Sequence, residues 1–260
     1  YDKPKGTFNV GVSRDLYIFE CLINNLMDVV KEADAWIPIA VMTSDINNAD
    51  TVAFFKEHDY FGYNKDYVFF FIQDMAPATD RDGKIYLADR SRPVMSPNGN
   101  GGWFTSFVNA GLREEFLKLG VEWLNVFAVD NVLQRIADPC FVGATIQSGR
   151  VGGAKVVSKA YPEEKVGVLC LEDGHPSIVE YYEMTDELMY SKNEKGEPLY
   201  NFGVILNYLF RIDELTRIMN DKLPVHIVEK KIPHIDENGN QVNPESPNGY
   251  KFEMLVLDLI

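Results

Sequence analysis

Three cysteines in 260 residues, Cys21, Cys140 and Cys170, are odd in number, widely spaced and form no CxxC pair. A disulfide framework and a cysteine zinc site are excluded, and reduced thiols packed as small apolar groups are expected. The four histidines, His58, His175, His226 and His234, show no HExxH and no close pairing, so they read as surface or loop residues. Positive charge is also short: 25 Lys and Arg stand against 39 Asp and Glu, a net charge of −14. Nucleic acid needs a basic face to neutralise its phosphates, so no nucleic-acid partner is expected. A small polyanion can still bind such a chain through a local basic cluster or a divalent metal. No apolar run approaches the roughly 18 residues that span a bilayer, and no signal peptide is visible, so no membrane partner and a soluble, cytoplasmic protein are expected.

What is present suits a folded domain. Apolar residues make up 46% and aromatics 12%, enough for a full core. Helical spacing runs from Leu16 to Val30, and Trp36 to Met42 reads as a buried strand. Ala49 to His58 reads as a helix, and Tyr67 to Ile72 as a strand buried on both faces. Phe104 to Leu119 reads as one helix, leading into an apolar strand from Trp123 to Val129. This alternation predicts an α/β fold with a doubly wound, mixed and mostly parallel sheet. The second half adds a β-rich part with strand signals at Ala154 to Ser158, Val166 to Leu171 and Ile178 to Tyr182. Val204 to Phe210 reads as the start of another helix. A polar hairpin or excursion over Asp236 to Gly249 precedes a last strand, Met254 to Leu259.

The segment Ser96-Pro97-Asn98-Gly99-Asn100-Gly101-Gly102 is the most informative stretch. Its glycines allow positive φ and close approach of backbone N–H groups to a flat or anionic ligand, at the start of a helix. The same glycines also fit a tight connection. Asp130 follows an apolar strand directly, where ligands of open α/β sheets sit, and reads either as a metal ligand or, with Asn131, as a helix cap. Gln73 holds the matching place after another strand, and its amide suits a nucleobase edge. Lys5, in Pro4-Lys5-Gly6, suits a phosphate, and Lys155, Lys159, Lys230 and Lys231 add further cations. Glu180, among apolar neighbours, can accept from sugar hydroxyls or stand as a strand-edge carboxylate. Met95 can pack on a base or belong to the core.

In order along the chain, these pieces resemble the eukaryotic-type UDP-sugar pyrophosphorylase family, its UDP-N-acetylglucosamine members in particular. The shared wording includes Pro4-Lys5-Gly6, Met42-Thr43-Ser44, Phe71-Ile72-Gln73, Asp82-Gly83-Lys84-Ile85, Ser96 to Gly102, Val129-Asp130-Asn131, Gly153-Ala154-Lys155, Val179-Glu180-Tyr181, Lys230-Lys231-Ile232-Pro233 and Pro247-Asn248-Gly249. The resemblance implies a Rossmann-like uridylyltransferase that forms a UDP-sugar and pyrophosphate from UTP and a sugar 1-phosphate, with Mg²⁺. It also implies site roles: Lys5 and Lys231 at phosphates, Gln73, Met95 and Gly99 at uracil, Asn100, Gly167 and Glu180 at the sugar, and Asp130 at the metal. The family's Phe-Asn-Ala-Gly-Asn stretch reads Tyr200-Asn201-Phe202-Gly203-Val204 here, so Val204 replaces a sugar-contacting asparagine and Asn201 or Asn207 is the candidate substitute.

The family's GGxGTRxG loop belongs before Pro4 and its late phosphate lysine after Ile260. Residues 1 to 260 are therefore expected to be a single catalytic nucleotidyltransferase domain cut at both ends. The Asn98-Gly99-Asn100 wording places N-acetylglucosamine ahead of glucose, with a UDP-glucose or broad-specificity enzyme as the alternative. A non-catalytic nucleotide-sugar-binding domain is a further alternative. A metal-dependent glycosyltransferase would need a DxD, which Asp130-Asn131-Val132 is not.

Overall fold

A computed structural model of the chain describes residues 3–219, 225–254 and 256. The first half packs around helix α1 (Ile18–Ala33). Glu20 accepts from the Tyr17 backbone N–H at its start, and Asp34 ends it in the left-handed region at φ 50°. Between these ends Phe19, Leu22, Ile23 and Leu26 are buried on one stripe, against Phe55, Val68 and Ile136. Each such side chain contributes about 1.5–3 kcal/mol by leaving water. Strand β1 (Ile39–Thr43), helix α2 (Asn48–Glu57) and strand β2 (Val68–Ile72) follow, and β1 pairs with β2 in parallel, Ile39 opposite Val68 and Thr43 opposite Ile72.

The short strands β3 (Met75–Pro77), β4 (Thr79–Asp80) and β5 (Met95–Pro97) lead to the glycine loop. Helix α3 (Trp103–Asn109) and helix α4 (Leu112–Lys118) come next. The single helix expected from Phe104 to Leu119 is thus two, because Gly111 at φ 76° turns the chain between them. Strand β6 (Trp123–Phe127) ends before Asp130. Beyond it lie α5 (Pro139–Gln147), β7 (Gly152–Ser158), β8 (Val168–Glu172), β9 (His175–Val179), α6 (Asp186–Met189) and β10 (Phe202–Arg211). The chain continues through α7 (Ile212–Ile218), β11 (His226–Lys230), β12 (His234–Ile235), β13 (Gln241–Val242) and β14 (Gly249–Glu253).

Two expectations change here. Val204 to Phe210 is not a helix but the middle of β10, which pairs with β6, β7 and β8 in a five-stranded sheet. A short apolar run does not distinguish a buried strand from a buried helix by period alone, and three neighbouring strands decide it. The fold is α/β with several sheets, but the sheet is not mostly parallel. Among the described residues β1 with β2 is parallel and every other strand pair is antiparallel. The hairpin expected over Asp236 to Gly249 forms as β12–β13, turned at Gly239 with φ 87°. The last strand among the described residues is Gly249–Glu253; of the strand expected over Met254 to Leu259, positions 255 and 257–259 lie outside the described residues. No helix among the described residues is long and apolar enough to cross a membrane.

Candidate active site

Four of the expected site residues, Lys5, Gln73, Asn100 and Asp130, line one cavity of about 1020 Å³. Each arrives there for a local reason. Gly6 is buried against the Phe19 ring, where a Cβ would lie 2.2 Å from Cζ, so the turn at Lys5 docks on α1. Gln73 follows β2, its backbone N–H donating to the Thr43 carbonyl at 2.8 Å. Asp130 follows β6, whose ladder to β10 is extended by the Ala128 N–H to the Leu206 carbonyl at 3.1 Å. Lys5 Nζ then reaches Asp130 Oδ2 at 3.3 Å, with both side chains largely exposed. An exposed pair of this kind contributes little to stability, so both charges are available to a ligand. Asp130 does not cap a helix: α5 begins at Pro139, and Asp138 is its cap, accepting from Cys140 N–H.

The glycine loop is anchored to the end of β14. Gly101 N–H donates to the Met254 carbonyl at 2.7 Å, and Met254 N–H to the Asn98 carbonyl at 3.0 Å. Gly99 is required there, since its φ is 71° and a Cβ would lie 2.2 Å from the Met254 oxygen. Asn100 Oδ1 accepts from Val256 N–H, so this side chain holds the loop as well as facing the cavity. Met95, 44% exposed, stands at the start of β5 and pairs with Pro77.

A second group lies around Gly167. A Cβ there would meet Ile178 and Val204 methyls at 3.1 and 3.2 Å and Glu180 Oε1 at 3.4 Å. Gly167, Glu180 and Val204 are therefore neighbours. Burial raises the Glu180 carboxyl above its ordinary value, the Glu183 charge adds to this, and His226 opposes it. Asn201 is committed elsewhere, its Oδ1 accepting from Lys159 N–H at 3.1 Å. Lys231 is exposed beyond β11 and does not line the cavity. Lys155 serves the fold: its Nζ donates to Asp138 Oδ2 at 2.8 Å and to the Arg135 carbonyl.

Asn207, the other candidate substitute, belongs instead to an amide network that shapes the Asp130 turn. Asn207, fully buried, donates to Gln134 Oε1 at 3.1 Å and accepts from Asn125 Nδ2 at 2.8 Å. Gln134 Nε2 donates to the Ala128 carbonyl, and Asn25 Nδ2 to the carbonyls of Val132 and Gln134. The turn carrying Asp130 is thus held from both sides. The readable signal was an asparagine inside each of two apolar strands, since a buried amide needs partners.

This arrangement defines an α/β protein with carboxylate, amide and lysine side chains gathered beyond strand ends, where such folds bind phosphorylated ligands. The sequence profile of the UTP–glucose-1-phosphate uridylyltransferase family matches residues 1–255, and the chain belongs to that family. It is 39% identical over 98% of its length to UDP-N-acetylhexosamine pyrophosphorylase-like protein 1 of Mus musculus, covering 52% of that protein. It is 36% identical over 99% of its length to UDP-N-acetylglucosamine pyrophosphorylase of Saccharomyces cerevisiae, covering 56% of it. A crystal structure of a candidate UDP-N-acetylglucosamine pyrophosphorylase from Entamoeba histolytica superposes with a TM-score of 0.90 at 32% identity, covering 99% of this chain and 66% of that one. The chain spans about half the length of the curated relatives it matches.

Proposed function

We propose that this sequence forms the catalytic nucleotidyltransferase part of a uridylyltransferase, which joins UTP to a sugar 1-phosphate and releases pyrophosphate. The observation that carries the reading is the convergence of Lys5, Gln73, Asn100 and Asp130 on one cavity, next to a glycine loop. N-acetylglucosamine 1-phosphate is the favoured acceptor, in keeping with the names of the relatives above. The free cysteines suit a reducing, cytoplasmic setting.

The donors present fit Mg²⁺ in the way that ion is held beside phosphates. Among the described residues no group of three or more His, Cys, Asp or Glu could form a metal cage. Mg²⁺ uses instead one or two carboxylates, with substrate phosphates and waters completing its shell, and Asp130 offers one exposed carboxylate. When bound, the ion supplies charge neutralisation at the reacting phosphates. Lys5 supplies a second positive charge, and its contact with Asp130 holds cation and carboxylate at the same place. Gln73 offers donor and acceptor to a uracil edge, and Gly99 brings backbone close to its plane. Glu180 accepts from a sugar hydroxyl. The sugar phosphate oxygen attacks the α-phosphorus in line, so positioning and charge neutralisation account for the catalysis.

The test is pyrophosphate release from UTP with a panel of sugar 1-phosphates, on this chain and on any longer product of its gene. N-acetylglucosamine 1-phosphate should give the highest rate. Asp130→Ala should lower it about a hundredfold or more, the scale of losing one charge-stabilising group. An unchanged rate would remove Asp130 from the metal site.

A further inference from the structure

Strand β10 is irregular between Val204 and Tyr208. On one edge Val204 stands opposite Val156 of β7 and Tyr208 opposite Ala154, so Ile205, Leu206 and Asn207 together face Lys155 alone. On the other edge β10 leaves β8, with Gly203 opposite Val168, and takes up β6, with Asn207 opposite Phe127. The surplus residues form a bulge, which bends its strand and so lets it serve both neighbours. Leu206, in the middle, sits at φ 49°. Its Cβ disfavours this left-handed conformation, which persists only where the surroundings hold it.

Those surroundings are the two halves of the site. The Val204 N–H donates to the Gly167 carbonyl at 2.8 Å, beside Glu180. The Leu206 carbonyl accepts from the Ala128 N–H at 3.1 Å, just before Asp130. The Asn207 amide donates to Gln134 Oε1 at 3.1 Å, and Gln134 Nε2 returns to the Ala128 carbonyl at 2.6 Å. Across the bulge, Lys155 reaches the Arg135 carbonyl and Asp138. Among the described residues β6 and β9 do not pair, and the path between them runs through β10 and β8. The stretch 204–207 therefore carries the Asp130 turn on one side and the Gly167–Glu180 group on the other.

In-line attack needs the sugar phosphate oxygen and the metal-held phosphate at one fixed separation, and a misplacement of about 1 Å costs about a hundredfold. We propose that Leu206 is a positioning residue whose left-handed backbone sets the separation of Asp130 from Glu180, a role that rests on the uridylyl-transfer reading of the site. The competing reason for a leucine here is packing, since its half-buried side chain lines the cavity and lies against the apolar core.

Leu206→Gly and Leu206→Val separate backbone from side chain, because the two causes rank them in opposite order. Glycine accepts φ 49° and loses the packing, whereas valine keeps most of the packing and its branched Cβ resists positive φ. Pyrophosphate release from UTP and N-acetylglucosamine 1-phosphate would be followed on this chain and on any longer product of its gene, at a temperature where circular dichroism shows each variant folded. Leu206→Val should lower kcat about tenfold or more, with the KM for UTP within about threefold of the parent, and Leu206→Gly should keep kcat within about threefold. Hydrogen exchange by mass spectrometry reads the same contacts without the reaction. Leu206→Val should speed exchange at both 126–130 and 202–206, and Leu206→Gly should not. If valine does not fold, glycine decides alone: kcat retained supports the backbone role, and kcat lost tenfold overturns it. Valine within about threefold of the parent, glycine more damaging than valine, or faster exchange at one segment alone would each overturn the positioning role. A parent inactive on every sugar 1-phosphate would overturn the uridylyltransferase reading instead, and exchange would then decide whether Leu206 holds both turns.

Discussion

Gly99→Ala is the sharpest probe of how the loop is built. A Cβ at this position would lie 2.2 Å from the Met254 carbonyl oxygen, 2.9 Å from its nitrogen and 3.0 Å from Glu253 Cβ. The nearest two are backbone atoms, so no side-chain rotation relieves the contact. Alanine at φ 71° costs about 1–2 kcal/mol. Making room requires giving up the Gly101–Met254 and Asn98–Met254 backbone bonds, each worth about 1 kcal/mol net. The sum is about 3–4 kcal/mol. With a urea m-value of about 3 kcal/mol/M, the unfolding midpoint should fall by about 1 M. Gly102→Ala is the internal control. Its nearest neighbour would be the flexible Met254 Cε at 3.2 Å, and its φ of −73° suits alanine. It should stay within about 1 kcal/mol of the parent. If Gly99→Ala is neutral, or if Gly102→Ala is equally damaging, the anchoring of this loop on β14 is wrong.

Other outcomes follow from the same structure. Asn207→Ala leaves Gln134 and Asn125 amides without their shared partner and should cost about 2–4 kcal/mol in a denaturant titration; a cost below about 1 kcal/mol would mean the network carries no weight. Glu180→Gln should raise the thermal midpoint at pH 8 and leave it unchanged at pH 4. Burial holds this carboxyl above its ordinary value, so the folded state binds the proton more tightly and loses stability as pH rises through the raised folded value. Equal shifts at both pH values would refute that. Burial alone would raise Asp138, but the hydrogen bond and charge of Lys155 prevail and hold its carboxyl below the usual range. That stability is present above the ordinary carboxylate value and lost as pH falls through the lowered one. Lys155→Met should therefore cost about 1.5–3 kcal/mol at pH 7 and little at pH 2, measured by urea unfolding at each pH.

Much of the fold could be read locally. The stripe Phe19, Leu22, Ile23, Leu26 gives α1 within three residues of its expected ends, and the apolar runs at 39–43, 68–72 and 123–127 are strands. β10 could not be read this way. Val204-Ile205-Leu206-Asn207-Tyr208-Leu209-Phe210 has neither a two-residue nor a clear 3.6-residue period, because a central strand is covered on both faces. The loop at Ser96 to Gly102, Gln73 and Asp130 were legible as strand-end or turn chemistry. The bond that Asn201 makes was not: its oxygen accepts from the backbone N–H of Lys159, 42 positions earlier, which no spacing announces.

The sequence by itself determined the residue types at the strand ends, the family the chain belongs to and the need for a glycine at position 99. Tertiary structure decided which of them meet. Lys5 and Asp130 are 125 positions apart and come together because Gly6 lets its turn dock on α1 while buried amides hold the opposite turn. It also decided which strands pair: among the described residues β1 lies beside β2, and β6 beside β10. Hydrogen-bond partners of a strand edge are chosen by distant chain in three dimensions, and local composition does not carry that choice.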